Sequence, residues 1–152
     1  MTESSSNKKD DNEIDIKIPP NSVEAEQSIL GGLMLDNSAW DKIADIIVKS
    51  DFYRKDHQII FDGISSLIES AEACDVVTLS EYLDNKGNLD SVGGLEYLAT
   101  LANETAGSAN VVSYAKILRE RSVLRSLIAA GNEISGSAFS TEGRSASELV
   151  DQ

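Results

Sequence analysis

A chain of 152 residues, 41% of them hydrophobic, is long enough to bury a proper core, and one compact domain is the expectation. Its 26 Asp and Glu against 13 Lys and Arg give a formal net charge of -13, which repels a phosphate backbone and argues against direct nucleic-acid binding. No apolar run is long enough for a membrane span and no secretory signal opens the chain, so it reads as cytoplasmic.

Residues 1–17 are polar and charged, with Met1, Ile14 and Ile16 as their only apolar side chains, too few to offset the entropy of ordering them. A disordered tail is expected. Ile14, Ile16 and Ile18 alternate as a short docking strand would, but three residues do not define a period. At Ile18 the character changes. Pro19 and Pro20 cannot continue a helix backwards, and Asn21 as N-cap places Glu24 where it can close a capping box, with Ser22 a second competent cap. Val23, Ala25, Ile29, Leu30, Leu33 and Met34 then share one arc of a helix, opposite Glu24, Gln27, Ser28 and Gly31. Gly31 and Gly32 weaken that helix by roughly 0.8–1 kcal/mol each relative to Ala, which points to a close backbone approach. A phosphate cradle would need a following Gly, Lys and Ser or Thr pattern that is absent. Glu26 falls inside the apolar arc but in the first turn, and is read as a surface acid facing the positive helix end.

Asp36, Asn37 and Ser38 form a turn and cap, and Ala39, Trp40, Ile43, Ile46 and Ile47 recur at helical spacing, predicting a second helix to about Val48 with Trp40 as a core anchor. Ile60, Phe61, Ile64, Leu67 and Ile68 mark a third from about Lys55 to near Ser70. His57, the sole histidine, has no second His or Cys for a metal and no nucleophile motif, so it reads as a structural or surface residue. Cys74 is the sole cysteine, which excludes an internal disulfide and a cysteine-based metal cluster. The spacing Thr78-Leu79-Ser80-Glu81 predicts a capping box for a short fourth helix that stops at Lys86-Gly87. Val76-Val77 is the best strand candidate and is too short to pair. Gly93-Gly94 opens a fifth helix through Leu95, Leu98 and Leu101, and the stretch Asn103 to Asn110 is a loop.

From Asn110 to about Ala138 runs one helix of about 28 residues, roughly 40 Å long. Val111, Tyr114, Ile117 and Leu118 can pack on the earlier helices; Leu124, Leu127, Ile128 and Ile134 form a second stripe that needs a partner. Gly136 and Gly143 are read as framing a turn, and Ser145-Ala146-Ser147-Glu148 as a capping box into Leu149-Val150. The expected fold class is all-α: a tail (1–17), a helical head (18–109), and a long helix that begins a truncated helical hairpin (110–152), the next helix folding back along Leu124 to Ile134. Leu127, Ile128 and Ile134 are the candidate partner-binding residues, the alternative being that they serve only the hairpin's own core.

The string Ile18-Pro19-Pro20-Asn21-Ser22-Val23-Glu24-Ala25-Glu26-Gln27-Ser28-Ile29-Leu30-Gly31-Gly32-Leu33-Met34-Leu35-Asp36 resembles the start of the N-terminal domain of bacterial replicative DNA helicases of the DnaB family. The likeness continues through Asp51-Phe52-Tyr53 with His57 and Ile60-Phe61, Asp75 with Thr78-Leu79, Leu89 to Gly94 with Tyr97-Leu98, and Tyr114-Ala115 with Arg119-Glu120-Arg121. It implies a helical head and hairpin in one tier of a ring-shaped hexamer, where these domains pair through their hairpins and recruit the C-terminal domain of primase. Whether a helicase loader also docks is left open.

In that family a RecA-like motor follows, which binds ATP and Mg and moves on single-stranded DNA. This sequence holds no G-x-x-x-x-G-K-[ST] stretch, so no catalytic, cofactor or metal residue carries over and the RecA-like ATPase domain is absent from it. Two functions are therefore in view: an assembly and docking module of a helicase, or a free-standing helical regulator that binds other proteins. A small hydrolase lacks any nucleophile paired with a base.

Overall fold

Asn21 spends its side chain on the carbonyl of Pro19, its Nδ2 donating at 2.9 Å, and so does not cap the helix that follows. Ser22 takes the cap position one residue later, with extended backbone and its hydroxyl accepting from the N–H of Ala25 at 3.3 Å. That shift moves Glu24 out of the capping-box position. The computed structural model describes residues 17–140, 143 and 145–151; the expected tail and the Ile14/Ile16 strand reading lie outside them, apart from Lys17.

Helix α1 (Val23–Leu35) is the centre of the molecule, buried on more of its circumference than a single arc predicts: Gly31 and Gly32 are covered along with Ile29, Leu30 and Leu33. The two glycines are there for close approach. A Cβ on Gly31 would stand 2.1 Å from the carbonyl oxygen of Leu101, and one on Gly32 would stand 3.2 Å from that of Gly107. Helices α3 (Lys55–Glu69), α5 (Gly94–Glu104) and α6 (Val111–Phe139) all pack against α1, with α4 (Val76–Asn85) bridging α3 and α5.

The second helix is much shorter than its apolar spacing suggests. A 3-10 turn (Asn37–Ala39) leads into α2 (Trp40–Ile43), and the chain then tightens, the N–H of Ile46 bonding the carbonyl of Ile43. The cause is Asp51, whose Oδ2 takes the N–H of Val48 at 2.8 Å; a continuing helix would have spent that donor on Ala44. Ala39, Ile43 and Ile47 still reach the core, while Trp40 is half-buried, its ring tilted on Phe61 at 5.5 Å.

Helix α4 starts one turn before the expected box. Asp75 is the cap, its Oδ1 accepting from the N–H of Thr78 at 2.8 Å while Thr78 Oγ1 accepts from the N–H of Asp75 at 2.9 Å. Val76 and Val77 are thus helical, and no strand occurs among the described residues. Gly136 lies within α6, so only Gly143, at φ 81°, belongs to the turn before α7 (Ala146–Val150), which Ser145 caps as expected.

One apolar cluster fills the interior, with Ile29, Leu30, Leu33, Ile60, Ile64, Leu79, Leu83 and Leu98 fully withdrawn from water, each contributing about 1.5–3 kcal/mol by burial. From α6 it receives Val111, Ala115 and Leu118, spaced as one helix face. Among the described residues no helix is long and apolar enough to cross a membrane.

Candidate docking surface

Past Leu118 no residue of α6 is buried. At 100° per residue Leu124, Leu127, Ile128 and Ile134 lie within about 120° of one another, so the exposed half of the helix carries an apolar stripe. Leu127 is 63% exposed, Ile128 47% and Ile134 72%. Helix α7 returns against the far end and encloses with it a groove of about 500 Å³, lined among others by Ala130, Ile134, Ala138, Ala146, Leu149 and Val150. The three candidate residues are thus divided: Ile134 lines the groove, while Leu127 and Ile128 lie outside it, nearer the head.

Two arginines tie the base of this exposed half to the head. Arg119 donates from Nη1 to Oδ1 of the buried Asp51 at 3.0 Å. Arg125 donates from Nη1 to the carbonyl of Pro20 at 2.7 Å and from Nη2 to the carbonyl of Asp51 at 2.8 Å, with its guanidinium 5.5 Å from the centre of the Tyr53 ring. Sequence reasoning missed both as anchors, because their partners are 68 to 105 residues away in the chain.

Glu26 is no surface acid: it is 1% exposed. Its carboxylate accepts from the N–H of Tyr53 at 2.8 Å, the N–H of Arg54 at 3.3 Å and Nδ1 of His57 at 2.8 Å. His57 is the structural residue expected, wholly buried, and its Nε2 lies 2.6 Å from the Tyr97 hydroxyl. That hydroxyl accepts from Gln27 Nε2 at 3.3 Å and so has its proton free for His57, which pairs every donor with an acceptor when the imidazole is neutral with hydrogen on Nδ1. At the rim Arg54 forms a bidentate pair with Asp56. Burial pushes the Asp56 carboxyl up, but the hydrogen bond and charge of Arg54 together with the neighbouring His57 hold it below the usual range, while Asp56 raises the Arg54 guanidinium.

This cluster is a structural knot. Among the described residues no buried side-chain nitrogen or oxygen lacks a partner, and no group of three or more His, Cys, Asp and Glu is placed to hold a metal ion. Outside this cluster, the stripe and groove of α6 and α7 expose an apolar surface of a kind that apolar side chains can pack against.

A family profile described as DnaB-like helicase N terminal domain matches residues 18–120. The chain is 41% identical over 137 residues to the replicative DNA helicase DnaB of Haemophilus influenzae, covering 90% of this chain and 29% of that protein. Among solved structures it is similar to the N-terminal domain of DnaB helicase from Mycobacterium tuberculosis, at 37% identity and a TM-score of 0.85, covering 88% of this chain and 94% of that one. A structure of a DnaB-like replicative helicase and its interactions with primase shares the fold at 20% identity, with a TM-score of 0.67 over 86% of this chain and 31% of that one.

Proposed function

Because the chain belongs to the DnaB-like helicase N terminal domain family, we propose that it is the assembly and primase-docking domain of a hexameric, ATP-dependent replicative DNA helicase that unwinds DNA at the replication fork. The relatives extend well beyond the stretch matched here, and the motor that binds ATP and Mg belongs to that remainder in this reading. The domain itself does no catalysis. It pairs with copies of itself and receives the C-terminal domain of primase, in the cytoplasm; the fold-sharing helicase whose structure includes its interactions with primase supports that choice of partner.

The observation that carries the proposal is the uncovered stripe of Leu127, Ile128 and Ile134 on a helix that projects from its own core. An aliphatic anchor buried at such a contact is worth about 2 kcal/mol, or roughly thirtyfold in affinity. Ile134→Asp in the full-length helicase should weaken binding of the primase C-terminal domain at least about tenfold in titration calorimetry, with molar mass followed alongside. A variant that assembles normally and binds primase as tightly as before places the contact elsewhere. The isolated chain, with its charge of -13, is expected to show no ATP turnover and no retention of single-stranded DNA on a filter in about 0.15 M salt.

A further inference from the structure

Core packing of α6 on the head ends at Leu118, yet the helix is tied down again two turns later. The two acceptors of Arg125 belong to different segments: Pro20 lies at the entry to α1, and Asp51 in the loop between α2 and α3, which also supplies the Tyr53 ring beneath the guanidinium. Arg119 holds the same loop through the Asp51 carboxylate. A planar guanidinium can satisfy two carbonyls and stack on a ring at once, whereas a lysine ammonium is a point charge on a flexible stem. The loop cannot follow the helix if the helix tilts. Glu26 holds the N–H groups of Tyr53 and Arg54, and Asp51 holds that of Val48, so the seat of Arg125 is fixed to α1.

We infer that Arg125 is a positioning residue, a strut that sets the direction in which the exposed half of α6 leaves the head, with Arg119 and Tyr53 completing the joint. The inference goes beyond the docking reading and does not depend on which partner the stripe meets. The strut acts on orientation and not on folding, because the buried residues of α6 end at Leu118 and both of its carbonyl bonds are only partly buried, so that water can replace the guanidinium when it leaves.

Spin labels on Asp84→Cys in α4 and Asn132→Cys in α6, in the 152-residue chain diluted with unlabelled protein, measure the angle of the helix as a distance distribution. The buried Cys74 is checked with a chain lacking both new cysteines. With Arg125 intact the distribution is narrow; with Arg125→Ala its width at least doubles while helicity by circular dichroism is unchanged. Arg125→Lys behaves like the alanine variant, because charge alone does not fill the seat. A narrow distribution at the parent distance in Arg125→Ala overturns the inference, as does full rescue by Arg125→Lys. Loss of helicity in Arg125→Ala also overturns it, since the arginine would then be holding the head together. No partner protein is present, so the outcome is separate from that of the primase titration.

Discussion

Oε1 of Glu26 and Nδ1 of His57 lie 2.8 Å apart with almost no water access to either residue, joining the first turns of α1 to the start of α3. Glu26→Ala removes the acceptor of three donors at once: two backbone N–H groups and the imidazole. Each buried donor left unpaired costs about 1–3 kcal/mol, so urea unfolding at neutral pH should show a loss of about 3 kcal/mol or more. Glu26→Gln keeps one acceptor oxygen but aims an NH₂ group at another donor, and falls between. A loss below about 1 kcal/mol for the alanine variant would mean that water takes over the carboxylate's bonds.

Helices α3 and α4 end in the same way, with one difference. The N–H of Glu72 bonds the carbonyl of Leu67 and that of Ala71 bonds Ile68; the N–H of Asn88 bonds Leu83 and that of Gly87 bonds Asp84. The left-handed position is glycine in α4, at φ 74°, but alanine in α3, at φ 58°. An L side chain there costs roughly 1–2 kcal/mol, partly offset by the extra freedom glycine has when unfolded. Ala71→Gly should therefore stabilise by up to about 1 kcal/mol and Gly87→Ala destabilise by a similar amount, as thermal midpoints moving in opposite directions.

Helical glycines should likewise divide by environment. A Cβ on Gly31 meets a backbone oxygen that can yield only if α1 and α5 move apart, and overpacking of this kind costs about 1–3 kcal/mol or more, against a propensity gain below about 1. Gly31→Ala should thus destabilise the fold. A Cβ on Gly131 meets nothing within 4 Å, so Gly131→Ala should stabilise α6 by a few tenths to about 1 kcal/mol. Slower amide hydrogen exchange in α6 would show it.

Stability should fall at both ends of the pH scale for separate reasons. Hydrogen bonds from Ser38 and then Ser108 hold the Asp36 carboxyl below its usual value, and at Asp56 burial acts upward while Arg54 and His57 together bring the net value down. A carboxyl with a depressed folded pKa contributes stability that is present above about pH 4 and lost as pH falls through that folded value, so Asp36→Asn should flatten part of the acid limb. Burial, and then the charge of Asp75, pushes the Cys74 thiol up from 9.0 to about 12. Its contribution is complete below about pH 9 and is lost as pH rises toward 12. The stability difference between the parent and Cys74→Ala should shrink across that window, and at neutral pH a disulfide reagent should modify Cys74 only as fast as the chain opens.

Apolar spacing is a local property, which is why α1, α3, α5 and α6 and the outward stripe of α6 were all readable from the chain. What failed depended on competition for backbone donors. Asn21 looked like the cap until Pro19 claimed its amide, and the run from Ala39 to Val48 looked like one helix until Asp51 took a donor from its end. Asp75 with Thr78 was a legible box, overlooked because Thr78 with Glu81 fits the commoner pattern. For Glu26 the signal was there, an acid inside an apolar arc, but its three partners lie 27 to 31 residues ahead. Arg125 continues the Val111 and Leu118 face at seven-residue spacing, but a lone arginine there gives no sign of the two distant carbonyls it bonds.

The free part of α6 is a lever. From Arg125 to Phe139 it spans about 21 Å at 1.5 Å per residue, so a rotation of only about 10° at Arg125 would carry the tip sideways by nearly 4 Å, about one carbon–carbon contact distance. Shape-matched apolar surfaces lose most of their attraction over such a displacement. Small errors in angle near the head are thereby converted into mismatches at the tip around Phe139, and the accuracy of any contact made out there is decided some way back along the rod.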